Sequence, residues 1–186
     1  MLVFDMESTG IDSERHALIS LGAVDYNTPS RSLYLECRIR PGAEFDEEAF
    51  GIHGLSKEYL DSVVLSEEQL LQQFDAWAKE SPSRVLMGHL PRLDWNFLMA
   101  GYARHNMTWD FGYRSVDLHS VAIMHMYANK VDVPLREGLS SLTLDSIASY
   151  VGLRKRNGSH NALYDAKLTA ECFARLLENK MLLLEF

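Results

Sequence analysis

Leu33, Leu35, Cys37 and Ile39 alternate strictly with other residues, a period of two that predicts a strand over residues 32–40 with one wetter face. Two strands precede it: the apolar opening at residues 2–6, and residues 16–26, which carry Ala17, Ile19, Leu21, Ala23 and Val24. Asn27-Thr28-Pro29-Ser30 between the second and third is turn chemistry. Three early strands joined by short turns predict an antiparallel meander. Pro41-Gly42 ends that unit, and Glu44, Asp46, Glu47 and Glu48 read as a solvated loop.

From Ser66 onward the spacing turns helical. Ser66 with Gln69 three residues later is an N-cap pair, and Leu70, Leu71, Phe74 and Trp77 fall on one face behind it. Residues 84–87 predict a fourth strand. Pro91 suits the first turn of a helix reaching about His105, with Phe97, Leu98 and Tyr102 inward. Residues 113–118 predict a short fifth strand, running into a helix that ends near Ala128. Two more helices follow at 142–151 and 162–177. The last is the most regular, with Ala162, Ala166, Thr169, Ala170, Phe173, Leu176 and Leu177 at helical spacing. Antiparallel strands followed by strand–helix alternation predict an α/β fold: a five-stranded mixed sheet with helices on both faces.

The length of 186 residues suits one domain with a substantial core, and nothing along it reads as a linker or repeat. No apolar run approaches the roughly 20 residues of a membrane span. Met1 stands almost directly before the first strand, which leaves no room for a signal or transit peptide. Cys37 and Cys172 lie far apart without metal spacing, so the expectation is free thiols in a reducing compartment, the cytoplasm. A formal net charge of −8 argues against coating long nucleic acid by phosphate neutralisation. It is compatible with an enzyme that grips a few nucleotides at one end, where divalent cations supply local positive charge.

The candidate chemistry begins at Phe4-Asp5-Met6-Glu7-Ser8-Thr9-Gly10. In a strand, Asp5 and Glu7 share a face at the end of an otherwise apolar element. Two such anions are tolerable if a cation sits between them, or if the strand end simply meets water. Asp94, just after the fourth strand, falls in the first turn of the next helix. His160 precedes the last helix and Asp165 lies in its first turns. A helix start favours a carboxylate, so each acid alone also reads as a cap. Asp117, His119 and His125 mimic metal spacing, but no acid cluster supports them and they read as structural. Met87, Met99, Met107, Met124 and Met126 read as core filler.

Taken together, these residues form a known constellation. The chain resembles the DEDDh 3′–5′ exonucleases, the histidine branch of the DEDD superfamily on a ribonuclease H-like fold. The resemblance rests on Asp5 and Glu7, on Asp94, on His160-Asn161-Ala162-Leu163-Tyr164-Asp165, and on Ile52-His53-Gly54-Leu55. These motifs run in the family's order over nearly the whole chain, as a single exonuclease domain spanning 1–186. The tyrosine branch would place Tyr where Asn161 stands. One departure is His89-Leu90-Pro91-Arg92-Leu93-Asp94, where family members often read His-Asn-x-x-Phe-Asp; Leu90 replaces an amide and Pro91 stiffens the approach.

The resemblance implies two divalent ions, Mg²⁺ or Mn²⁺, held by Asp5, Glu7, Asp94 and Asp165, with Asp5 bridging and His160 as general base. From the residues themselves, the backbone of Ser8, Thr9 and Gly10 can approach the terminal nucleotide, since Gly permits close contact, or form an ordinary turn, and Arg154, Lys155 and Arg156 beside His160 can hold phosphates or form a solvated basic loop. The resemblance implies that His53, Gly54 and Leu55 wall the terminal base and sugar, a stretch that also reads as a helix end packing on the core. Its implied partner is single-stranded or 3′-terminal nucleic acid, DNA or RNA; a homodimer or association with a polymerase or other nucleic-acid enzyme stays open. Two other classes remain open as well: a catalytically silent nucleic-acid-binding or assembly subunit, and a phosphohydrolase of small phosphate esters.

Overall fold

The computed structural model describes residues 1–154, 158–183 and 186. Its main sheet contains β1 (Leu2–Ser8), β2 (Leu18–Asp25), β3 (Ser32–Glu36), β4 (Leu86–Gly88) and β5 (Ser115–Asp117), in the order β3-β2-β1-β4-β5. β1, β2 and β3 pair antiparallel, as the short turns require, while β4 and β5 join parallel beside β1. The helices are α1 (Glu47–His53), α2 (Lys57–Ser62), α3 (Glu67–Lys79), α4 (Arg92–Arg104), α5 (Leu118–Ala128), α6 (Leu144–Tyr150) and α7 (Ala162–Glu178). A small hairpin, β6 (Leu135–Arg136) and β7 (Leu139–Ser140), precedes α6.

Alternation along β1 divides the core in two. Leu2, Phe4 and Met6 pack with Leu70, Phe74, Phe97 and Tyr102 of α3 and α4. Val3, on the opposite face, packs with Leu118, Ala122, Leu168 and Phe173 of α5 and α7. Asp5 and Glu7 share the Val3 face, so both carboxylates lie on the α7 side of the central strand. Every residue of β2 is buried, because helices cover it from both sides.

Three expectations need correction. The acidic cluster expected as a loop instead opens α1: Asp46 is its N-cap and accepts from the Glu48 backbone, while Glu47 and Glu48 lie in the first turn, where the helix dipole favours acids. The third strand stops at Glu36 and not at Arg40, and the short helix α2 and the β6–β7 hairpin were not expected at all. Met99 and Met124 are exposed, so core filling holds only for Met87, Met107 and Met126. The Ser66–Gln69 capping box is present in full, and both cysteines are buried free thiols. Among the described residues no helix is long and apolar enough to cross a membrane.

One contact sets where α7 lies. A Cβ on Gly22 of β2 would come within 2.1 Å of the Leu163 backbone nitrogen and 2.2 Å of the Ala162 carbonyl carbon. Only a residue without a side chain lets the first turn of α7 rest directly on the sheet. Gly22 is also the register partner of Asp5, so the contact brings the start of α7 over that carboxylate. Gly22→Ala is predicted to destabilise the fold by about 3 kcal/mol, the upper range for overpacking. For a chain of this size that lowers Tm by roughly 6–12 °C. Gly51→Ala, in open space on the exposed face of α1, is predicted instead to stabilise by about 0.5–1 kcal/mol. Calorimetry on both variants checks the contrast; equal shifts would refute the contact argument.

Candidate active site

The candidate site lies at the C-terminal edge of the parallel pair β1 and β4, beside the start of α7. β1 carries Asp5 and Glu7 there, and the register with β2 slips between Glu7 and Ser8, a bulge that ends regular pairing at the second carboxylate. β4 leads through His89-Leu90-Pro91 into α4, which places Asp94 in its first turn. Asn161 is the N-cap of α7 and accepts from the Tyr164 backbone at 3.1 Å, so His160 stands just outside the helix and Asp165 within its first turn.

Ligand atoms of Glu7, His160 and Asp165 all lie within 4.8 Å of one another. His160 Nδ1 is 3.6 Å from Asp165 Oδ2. Asp5, His89, His160 and Asp165 line one open cavity of about 740 Å³. Glu7, Asp94 and Asp165 are buried. The Asp94 carboxyl is pushed well above the usual carboxylate range, first by burial and then by the negative charge of Glu7. The five residues expected to form the centre are thus drawn from three separate segments to one place.

This donor set fits a hard divalent cation. Carboxylate oxygens dominate it, one imidazole stands beside them, and no cysteine takes part. The Asp94–Glu7 repulsion is what a bound cation would relieve.

The flanking expectations fare differently. His53 is buried, and its Nδ1 accepts from the Leu55 backbone at 3.1 Å, which leaves the proton on Nε2. Burial first, and His160 second, hold its pKa below the ordinary histidine value. The Ile52 carbonyl accepts from the His160 backbone at 3.0 Å. Gly54 ends α1 with φ 71°, and a Cβ there would sit 3.1 Å from Ser159. Residues 52–54 therefore brace the loop that carries His160, a link between two motifs that neither motif announces.

Thr9 is fully buried and engaged within the protein. Its hydroxyl donates to the Glu44 carbonyl at 2.6 Å and accepts from the Ala17 backbone at 2.9 Å. Ser8 Oγ donates to the Gly10 carbonyl at 2.6 Å. Arg154 is exposed and does not line the cavity; Lys155 and Arg156 lie outside the described residues. Asp117 is the N-cap of α5, accepting from His119 and Ser120, and it also accepts from the Leu90 backbone at 3.0 Å.

Sequence reasoning missed the far wall of the cavity, built by Arg136, Ser140, Ser141, Thr143 and Asp145. Arg136 stands on β6 at the edge of a two-residue turn. Glu137 and Gly138 there both have positive φ, 54° and 80°, the geometry of a type I′ hairpin. His119 Nε2 meets Ser140 Oγ at 2.9 Å and ties the hairpin to α5. Two-residue strands carry no periodicity, so the Glu-Gly pair was the sole local signal.

Comparison with known proteins places this geometry. The family model for exonucleases (RNase_T) matches residues 2–173. The 3′-5′ DNA exonuclease Cap18 of Escherichia coli is 30% identical over 181 residues, covering 94% of this chain and 89% of that protein. The PolC-type DNA polymerase III of Thermotoga maritima is 28% identical over 178 residues, covering 95% of this chain; the chain spans only 12% of that relative's length. The zinc-bound complex of E. coli exonuclease I with single-stranded DNA superposes with a TM-score of 0.76 at 17% identity, over 96% of this chain and 40% of that one. The last likeness shows a shared ribonuclease H-like fold. On the family match and the sequence relatives together, the chain belongs to the exonuclease family, of the DEDDh type.

Proposed function

We propose that this protein is a metal-dependent 3′–5′ exonuclease that removes nucleoside 5′-monophosphates from the 3′ end of a nucleic acid. The observation that carries the reading is the convergence of Glu7, His160 and Asp165 within 4.8 Å, in a cavity that Asp5 also lines. A binding module gains nothing from buried like charges, whereas hydrolysis of an anionic diester does. Cap18, the PolC-type polymerase and the exonuclease I complex are named for DNA, whereas a further relative is named Ribonuclease T; single-stranded DNA ends come first among substrates, with RNA as the second test. The PolC-type relative is a polymerase in whole, so a polymerase partner belongs to the same proposal.

In this reading Asp5, Glu7, Asp94 and Asp165 hold two divalent ions, Mg²⁺ or Mn²⁺. Bound there, the ions neutralise the phosphate and the leaving oxygen and ease deprotonation of water. His160 takes the proton from the attacking water, a task suited to imidazole near neutral pH. Asp165, 3.6 Å from Nδ1, stabilises the imidazolium that results. Arg136, whose side chain makes no hydrogen bond or ion pair with the described residues, meets a phosphate oxygen of the strand.

The wild-type protein with Mg²⁺ is expected to shorten a 5′-labelled single-stranded DNA from its 3′ end, releasing 5′-monophosphates; a metal-loaded sample inert on every DNA and RNA oligomer would refute the reading. Asp5→Ala is expected to abolish shortening. In the wild type, Mn²⁺ at about 100 times its Kd adds about 2.7 kcal/mol. That raises Tm by roughly 5–10 °C, and Asp5→Ala removes most of the shift.

For His160→Ala, kcat is expected to fall about 100- to 10,000-fold, the range for a lost general base. Calorimetric Mn²⁺ affinity should stay within about threefold, because carboxylates dominate the donor set. Collapse of metal binding with this variant would overturn the assignment of base. Arg136→Gln is expected to raise KM for oligonucleotides about tenfold or more, as loss of a charge-assisted hydrogen bond does; an unchanged KM removes Arg136 from the binding surface.

A further inference from the structure

β2 is buried along its whole length, and between Leu18 and Val24 the one side chain with a polar atom is Ser20. Ser20 is 0% exposed, and its hydroxyl reaches no hydrogen-bond partner among the described residues. A hydroxyl withdrawn from water in that way is costly. Alanine would occupy a strand position between Ile19 and Leu21 without that cost.

The place of Ser20 in the sheet gives the hydroxyl a use. Ser20 is the register partner of Glu7, the last pair before the slip between Glu7 and Ser8. Residues directly opposite each other on antiparallel strands project to the same face, with Cβ atoms about 4.5–5.5 Å apart. It is the face that Asp5 shares through its own pair with Gly22, where α7 begins. Glu7 thus offers one oxygen to the cluster with His160 and Asp165 and has the Ser20 hydroxyl beside it across the strand pair. A second polar neighbour of Ser20, Tyr34, commits its own proton to Glu36 Oε1 at 2.5 Å.

We propose that Ser20 is a positioning residue for Glu7: its hydroxyl donates to the carboxylate oxygen turned away from the divalent cation and fixes the orientation in which Glu7 serves as a ligand. The proposal rests on the metal-dependent reading above and adds to it a residue outside every motif that carries the resemblance. A lysine or arginine at this position would compete with the ion for Glu7, whereas a neutral hydroxyl orients the carboxylate and leaves its charge to the ion. Partners of this kind, one step removed from the ion, are worth about 10- to 100-fold in metal affinity.

The test is calorimetric titration of Mn²⁺ into the whole chain without nucleic acid, alongside thermal melts of the metal-free samples. Ser20→Ala should weaken Mn²⁺ binding about 10- to 100-fold. Its metal-free Tm should stay unchanged or rise, because a buried hydroxyl without a partner is removed. A packing role would instead lower Tm and affinity together. Ser20→Thr keeps the hydroxyl and should keep most of the wild-type affinity. Tyr34→Phe should leave Mn²⁺ binding unchanged, because Ser20 acts on Glu7 and not through Tyr34. Wild-type affinity in Ser20→Ala overturns the positioning role while leaving the catalytic reading standing. So does a fall in metal-free Tm that accompanies the lost affinity, or a Tyr34→Phe variant as weak as Ser20→Ala. A wild-type protein that binds no Mn²⁺ overturns the metal-dependent reading and the role of Ser20 with it.

Discussion

The backbone contact between Gly22 and the first turn of α7 is the constraint from which the site follows. β2 lends no side chain at that point, so the helix start rests on the sheet beside the Asp5–Gly22 register pair. Asp165 is thereby buried against β1, and His160, one residue before the Asn161 cap, hangs over the carboxylates. Had α7 stood one side chain farther out, the three ligand atoms would not share a sphere of 4.8 Å. A helix packed on a sheet by apolar side chains normally keeps some distance; here that distance is surrendered to bring charged groups together.

That convergence works against stability. Glu7, Asp94 and Asp165 are withdrawn from water, and Asp94 is driven toward its neutral form by burial and by Glu7. The surrounding structure compensates with dense local ties: Thr9 bonded on three sides, the Ile52 carbonyl holding the His160 backbone, and the Ser66–Gln69 cap anchoring α3 beneath the opposite face. Strained sites of this kind persist when the scaffold over-determines them. The same logic applies at Leu90, where a helix cap holds a left-handed leucine in place.

The two walls of the cavity have different origins. The acids and His160 come from segments whose order along the chain carries the resemblance, and the exonuclease family model spans residues 2–173. The opposite wall, with Arg136 on its hairpin and Asp145 at the start of α6, comes from a stretch without periodicity. The Arg154-Lys155-Arg156 run stood out as charge in the sequence, yet Arg154 does not line the cavity, and among the described residues the arginine that does is Arg136, between Leu135 and Glu137. Charge runs are conspicuous in one dimension because they are contiguous; a pocket is assembled from residues that need not be.

What the sequence by itself determined was the set of elements that depend on near neighbours. Alternation at Leu33 and Leu35 within β3, the Ser66 cap, and the apolar stripe of the last helix are local, since side-chain period and hydrogen bonds to adjacent backbone decide them. It also determined which acids and which histidine to watch, because their residue types and order carry the resemblance. Only the tertiary structure decided which of those groups meet and that residues 52–54 brace the His160 loop. Those outcomes depend on contacts across as many as 160 positions. Their distances are set by how closely one backbone can approach another, and no pattern of adjacent residues encodes that.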